Sequence, residues 1–268
     1  MPTPIYFPPL ANGMITQLPY SQEDWYDNVT VDSPSGKRYS YNRRASALWA
    51  AAPIYTSITD AEVATLEAFF TARQGRLQDF IFVDPGGNLI PVSENYADAS
   101  WSISGLSFFS AALADPWGGS LASGFTGGGS LVAPVLPDGS APAYWLTASI
   151  WARCTVGATT VQIGFTDGTT DLATNTFPVG QAWKQYSCSY LVATASPVSF
   201  KAVFGTLGSG ALVVFGAQCS PLPTPGPYVR SPEGWGLRRN CRFETDTFAV
   251  RYVGYNQSAV SLPIRQHA

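Results

Sequence analysis

Charge is what this chain has least of. Asp, Glu, Lys and Arg make up 12% of its 268 residues, about half the usual share. The net charge is −3, and the basic residues are scattered apart from Lys37–Arg38, Arg43–Arg44 and Arg238–Arg239. With no basic stripe to neutralise a phosphate backbone, nucleic-acid recognition is not expected. Histidine is almost missing: His267 stands alone, which removes Ser–His and Cys–His catalysis. Cys154, Cys188, Cys219 and Cys241 form no CxxC pair, which argues against zinc. Cys154 and Cys188 lie in strand-like segments, so a cross-strand disulfide is weighed against buried free thiols, the state a reducing compartment favours. No apolar run is long enough to span a membrane. MPTPIYFPPL lacks a basic n-region and an apolar h-region, so no signal peptide and folding in a cytoplasm are expected.

What is abundant is turn and ring. The chain has 25 glycines, 21 prolines and 13% aromatics, which suits short strands, many turns and large aromatic contacts. Hydrophobic content is too high for disorder, and so bare a surface suggests that a partner covers part of it.

Residues 1–58 are rich in Tyr, Trp and Val. WYDNVTVDSPSGKRYSYNRR predicts two strands about a Ser-Pro-Ser-Gly turn, and ALWAAAPIYTSI a third strand region. One helix follows. Thr59 is the expected N-cap with Glu62 completing a capping box, and Val63, Leu66, Phe69 and Phe70 share a face. Gly75 takes the left-handed position after it, while Arg73 and Arg76 sit near the negative end of the helix dipole. Phe80–Val83 reads as a short buried strand ending at Asp84-Pro85-Gly86-Gly87-Asn88.

From about residue 93 to 230 the texture changes. Charges almost vanish, and short alternating strands (WSISGLSF, YWLTASIWARCT, TTVQIGFTD, WKQYSCSYLV, VSFKAVFG, ALVVFGAQCS) are separated by glycine-rich turns. That pattern predicts an antiparallel sandwich of the jelly-roll kind, with PLPTPGPYVRSPEG as a stiff connector out of it. The charged style returns with RRNCRFETDTFAVRYVGY and QSAVSLPIRQ, two strands that can pair through Gly254–Gln257. The fold class is therefore mainly β: a small β-sandwich-like core with one helix, formed by residues 1–92 plus 231–268, and a β-sandwich inserted at 93–230.

The residues of the core support a family name. Phe69, Phe70, Ala72, Arg73, Gly75 and Arg76 on the helix, then Phe82, Asp84 and Pro85, and later Arg242, Phe243 and Asp246, with YFPPL early in the chain, resemble the distal tail proteins of long-tailed bacteriophages and gene transfer agents. The resemblance covers about 130 residues and carries no catalytic motif. It implies a homo-hexameric ring between tail tube and baseplate hub, a virion tail-tip location and assembly in the host cytoplasm. The insertion is the departure from that pattern. The insert in turn resembles carbohydrate-binding jelly-roll modules of phage adsorption proteins, through NLIPVSENYADASW, YWLTASIWAR, AWKQYS and the closing FGAQ…Tyr-Val.

The insert's resemblance implies sugar binding, which needs exposed aromatic faces and polar side chains that fork across hydroxyls. Trp117, in the turn ADPWGGS, is the leading candidate, followed by Tyr144 and Trp145 and then Trp101. Trp151 and Trp183 lie within apolar strands and are read as core, and Trp101 leans the same way. Calcium, common in such modules, has Glu94, Asn95 and Asp98 as candidates, with a solvated turn the better reading. FTDGTTD reads as an ordinary hairpin loop. Arg43, Arg44, Arg238 and Arg239 are candidate ring-interface residues, against a solvated face. With few acids and no motif, an enzyme is not expected. The expectation is a structural tail-tip ring protein whose insert touches host-surface polysaccharide. The alternatives are a stand-alone carbohydrate-binding protein and an insert that is only a spacer.

Overall fold

A computed structural model of the chain describes residues 5–26, 28–42, 47–137, 143–193, 197–232 and 235–267. Its strands begin with β1 (Gln22–Trp25), β2 (Asn28–Asp32), β3 (Arg38–Asn42), β4 (Leu48–Ala51) and β5 (Ile54–Ile58), followed by helix α1 (Asp60–Ala72) and β6 (Phe80–Val83). Next come β7 (Ser102–Leu113), β8 (Ala122–Leu136), β9 (Trp145–Cys154), β10 (Thr159–Thr166), β11 (Asp171–Val179), β12 (Lys184–Leu191), β13 (Val198–Phe204) and β14 (Leu212–Ser220). The chain closes with β15 (Leu237–Phe243), β16 (Val250–Gly254), β17 (Gln257–Ser261) and β18 (Ile264–Gln266). It is mainly β, with antiparallel pairs such as β9 with β12 and β15 with β18, and has one helix among the described residues. Two compact units form: Thr16–Phe82 with Arg238–Ala268, and Met1–Ile15 with Val83–Leu237.

The smaller unit holds a five-stranded sheet in the order β1-β4-β18-β15-β6, a three-stranded sheet β16-β17-β5 and the hairpin β2-β3. Prolines decide where its strands stop. The region ALWAAAPIYTSI breaks into β4 and β5 at Pro53, and QSAVSLPIRQ into β17 and β18 at Pro263, because proline has no N–H to give a ladder. Helix α1 begins with the expected capping box: the Glu62 N–H donates to Thr59 Oγ1 at 3.3 Å and the Thr59 N–H to Glu62 at 2.8 Å. The helix buries Val63, Leu66 and Phe70. Its Phe face meets Phe243, whose ring lies 6.1 Å from Phe69, 4.8 Å from Phe70 and 4.9 Å from Phe80.

The residues that carried the distal-tail resemblance in this unit interlock. The cap is Arg73, and the left-handed turn takes two residues, Gln74 (φ 55) and Gly75 (φ 59), one earlier than the sequence pattern places it. Gly75 is required sterically, since a Cβ there would meet Asp246 Oδ1 at 2.7 Å. Arg76 does not stay at the helix end as a dipole partner. It turns to Asp246, with an ion pair at 2.7 Å and its backbone N–H on Oδ1 at 3.1 Å. Arg73 lies over the Phe69 ring, and Arg242 pairs with Asp79.

In the larger unit the strand order is β11-β10-β13-β8-β14-β9-β12, with β7 paired on β8. Strand β8 is the corner of the sandwich: residues 123–125 pair with β14 and residues 129–136 with β13. Alternate residues Leu146, Ala148, Ile150, Ala152 and Cys154 of β9 face a core shared with Val161, Ile163, Phe165, Phe200 and Val214, all fully buried. Two strands were not evident in the sequence. Strand β8 hides in the glycine-rich GFTGGGS, where Gly127 (φ +85) allows the bend and a Cβ at Gly129 would strike Ser104 O at 2.0 Å. Strand β11 is a polar strand with mostly exposed side chains. All four cysteines are buried, and none is in a disulfide. The ladder sets Cys188 opposite Ala148, and Cys154 lies six residues further along β9. Burial pushes the Cys154, Cys188 and Cys219 thiols above their ordinary range.

Residues 5–15 lie with the larger unit rather than with the charged core domain in which the sequence reading placed them. The reason is local: Phe7 and Leu10 are buried, Phe7 O accepts the Tyr144 hydroxyl, and Gly13 O accepts the Trp145 N–H at 3.0 Å. The proline-rich segment after β14 is also tied down. Gln218 accepts from the Val229 N–H at 3.1 Å and donates to Pro227 O at 2.9 Å. Asn88 closes the unit. Its Nδ2 donates to Ala217 O and Val229 O, and its Oδ1 accepts from the Ile90 and Cys219 N–H groups, all at 3.0 Å. The side chain is fully buried, so every polar atom it has is used where water is absent.

Replacing Asn88 by Ala strands two carbonyls and two amides in the interior. The expected cost is about 3–5 kcal/mol, the scale of a few unsatisfied buried groups, and chemical denaturation followed by tryptophan fluorescence measures it.

Candidate functional site: an aromatic platform on the larger unit

Strand alternation gives the β9–β14 region two faces. Leu212 and Val214 pair with Cys154 and Ala152 on the core side, whereas Val213 and Phe215 pair with Arg153 and Trp151 on the other. On that outer side Ala122, Val213 and Phe215 form a small apolar base against which Leu113, Trp151, Trp183 and Tyr228 pack while remaining partly exposed. Trp117 tops it. Its ring lies 5.0 Å from Phe215, 5.2 Å from Tyr228 and 6.3 Å from Trp151, and it is 58% exposed. A large aromatic so open to water is costly to leave uncovered.

The loop that presents Trp117 is rigid for a stated reason. Asp115 is buried, and its carboxylate accepts from the backbone N–H of Trp117 at 2.8 Å, Gly119 at 3.0 Å and Leu121 at 3.4 Å. Charged acceptors make strong backbone hydrogen bonds, so the turn is closed from within and its tryptophan points outward without help from a partner. Tyr228 joins the platform to a neighbouring groove. Its hydroxyl lies 2.9 Å from Ser93 Oγ and 3.0 Å from Glu94 Oε1, and burial pushes it above the ordinary phenol range. Glu94 pairs with Arg230 at 2.8 Å. The groove, about 360 Å³, is lined by Glu94, Asn95, Asp98, Leu121 and Arg230 among others.

The sequence-derived candidates divide. Trp117 is exposed as expected. Trp101 is core: 7% exposed, with Nε1 donating to Val92 O at 2.8 Å and its ring 4.7 Å from Tyr96. Tyr144 is fully buried, its ring against Tyr6 and its hydroxyl on Phe7 O. Trp145 is half-buried, with Gly13 so close that a Cβ there would meet its ring at 2.9 Å. Residues 6–13 occupy the surface these two were expected to offer a sugar.

Trp151 and Trp183, read as core, instead lie partly exposed on the platform. The signal was present in SIWARC, where Trp151 shares its face with Arg153 and not with Ile150 or Cys154. Arg153 and Gln185 are further polar groups on this face, Gln185 pairing with Trp151 in register.

The calcium candidates are engaged elsewhere. Asp98 accepts the Ser100 N–H at 2.8 Å, which holds its carboxyl below the usual range. Asn95 accepts from Ala97, and an arginine faces Glu94. Among the described residues no three His, Cys, Asp or Glu side chains converge on a metal position. Asp167 accepts N–H and O–H bonds from Thr169 and Thr170, which depresses its pKa and makes FTDGTTD a self-closed turn. Of the interface candidates, Arg43 and Arg44 lie outside the described residues. Arg238 stacks on Trp49 at 5.3 Å, and Arg239 is half-buried.

No protein-family model matches the sequence, and no curated protein matches it. Among solved structures, the chain is similar to the enzymatically active domain of tailspike protein 4 of bacteriophage CBA120, at TM-score 0.40 and 14% identity, over 53% of this chain and 22% of that one. It is similar to the CBM22-1 xylan-binding domain of Paenibacillus barcinonensis Xyn10C, at 0.41 and 12%, over 53% of this chain and 99% of that one. A family 11 carbohydrate-binding module of Clostridium thermocellum, in complex with a β-1,3-1,4-mixed-linked tetrasaccharide, aligns at 0.34 and 14% over 51% and 97%. Similarities of this size leave function to the chain's own side chains.

Asp115→Ala is expected to free the amides of residues 117, 119 and 121 without disturbing the sandwich. Hydrogen–deuterium exchange should show faster exchange confined to residues 115–121, with β9 and β14 unchanged.

Proposed function

We propose that the larger unit binds polysaccharide on the platform capped by Trp117, and that the smaller unit is the assembling part of a phage-type tail-tip protein. The observation that carries the first part is a tryptophan ring held open to water by a loop that Asp115 closes from within. Such a preorganised face stacks on the C–H surface of a pyranose with little ordering cost. Trp151, Trp183 and Tyr228 extend the apolar surface, while Gln185 and Arg153 supply donors at its margin. Binding rather than hydrolysis is the chemistry proposed. Asp115 is committed to three backbone amides, and Glu94 is paired with Arg230, whereas a glycosidase needs two carboxyl groups free to face the scissile bond.

A specific observation favours the tail-tip reading for the smaller unit. Val31, Tyr39 and Tyr41 stand exposed on the β2-β3 hairpin, and Tyr252 and Tyr255, the latter fully exposed, on the β16-β17 hairpin. Apolar rings on two hairpins are surface that self-assembly would cover. The proposed assembly is a ring, hexameric by the family resemblance, between tube and baseplate hub, in a virion.

Trp117→Ala is expected to weaken retention on host-surface polysaccharide in affinity electrophoresis about tenfold or more, with the unfolding midpoint unchanged. Equal retention of the variant would remove the platform as the site. For the ring, mass photometry should show a closed oligomer that Tyr39→Ser/Tyr41→Ser shifts toward monomer; a monomer at all concentrations, with tail partners added, would end that reading.

A further inference from the structure

Arg153 occupies a position that glycan stacking alone does not explain. It follows Trp151 by two residues on β9, so both side chains leave the same face of the strand, their Cα atoms roughly 7 Å apart. Its guanidinium lies over the Trp183 ring at 5.2 Å, which orients the cation along the platform. Its Nε is sealed from solvent with no hydrogen-bond partner, and so is Trp151 Nε1 nearby on the same face. In the same unit Arg230 pairs with Glu94 and Lys201 with Asp171, but Arg153 has no carboxylate partner among the described residues. The acid closest in the platform's construction, Asp115, is spent on its own loop. A guanidinium held on an aromatic ring with no carboxylate beside it keeps its charge available to an anion that reaches the platform.

We infer that the polysaccharide taken by the platform is an acidic one, whose sugar carboxylate docks on Arg153 while a neighbouring ring stacks on Trp117. This rests on the polysaccharide-binding reading. The two terminal amino groups of the guanidinium offer a planar fork that a carboxylate matches with two parallel hydrogen bonds, while the Trp183 ring beneath holds the cation in place. The chain's net charge of −3 works against general attraction of polyanions, so retention of an acidic polymer reports a local site.

The test is affinity electrophoresis of the full chain in gels containing polygalacturonate, alginate or hyaluronate, each beside its carboxyl-reduced counterpart. The wild-type protein is expected to bind at least one acidic polymer about tenfold more tightly than the reduced form, the scale of one solvent-accessible hydrogen bond to a charged group. Arg153→Gln should bring the two within about twofold, and Arg153→Lys should keep an intermediate preference, since charge remains but the fork is lost. Trp117→Ala should weaken binding to both forms alike. Unchanged denaturation midpoints establish that the variants are folded. Equal binding of acidic and reduced polymers, or an acidic preference that survives Arg153→Gln, overturns this inference and leaves the platform reading standing. Absence of retention on every polymer overturns both.

Discussion

The buried amide of Asn88 is the constraint on which the larger unit depends. Four hydrogen bonds from one side chain join the incoming chain at Ile90, strand β14 at Ala217 and Cys219, and the outgoing chain at Val229. A parallel bridge from Asn88 to Trp235 adds the next turn of the outgoing chain. No aliphatic residue could do this, because the backbone groups it satisfies need a polar partner, and Ala217, Cys219 and Val229 lie 129, 131 and 141 residues away in sequence. With the incoming and outgoing segments of the larger unit fastened at one point, the closure entropy of the long stretch between them is met by a specific contact rather than by the sandwich alone.

That clamp also positions the platform. Val229 neighbours Tyr228, whose ring lies 5.5 Å from Phe215 and whose hydroxyl reaches Ser93 and Glu94. The outgoing segment thus forms one wall of the aromatic surface, and Gly216 (φ 61), inside the bulge of β14 between Phe215 and Gln218, lets the Tyr228 ring come within 3.2 Å of where a Cβ would stand. A second internal polar device, the Asp115 carboxylate, fixes the loop that carries Trp117.

Much of this was legible in the residues. The capping box at Thr59, the buried strand Phe80–Val83, the alternating strands β9, β10 and β12 to β14, and the exposed Trp117 all follow from short-range pattern. What pattern missed has physical causes. Strand β8 is glycine-rich because it must bend and let backbones approach closely, and those glycines resemble a loop. Strand β11 lies at the sheet edge, where polar residues are tolerated. Tyr144 and Trp145 looked available because their cover, residues 6–13, comes from far away in sequence. Trp151 was misassigned by its apolar neighbours, although Arg153 beside it marked the outward face. The proline-rich segment after β14 looked like a free connector because its hydrogen bonds run to the side chains of Asn88, Ser93 and Gln218, which no local window contains.

The seating of residues 5–15 against Tyr144 and Trp145 bears on what can be cut from this chain as a folded piece. A fragment bounded by residues 83 and 237 carries every strand of the larger unit. It nevertheless lacks part of its own wall, which residues 5–15 supply, the Phe7 carbonyl accepting the Tyr144 hydroxyl and the Gly13 carbonyl the Trp145 amide. Cut at those bounds, the fragment would expose an apolar seat, so a well-behaved piece of this unit has to carry both segments of the chain.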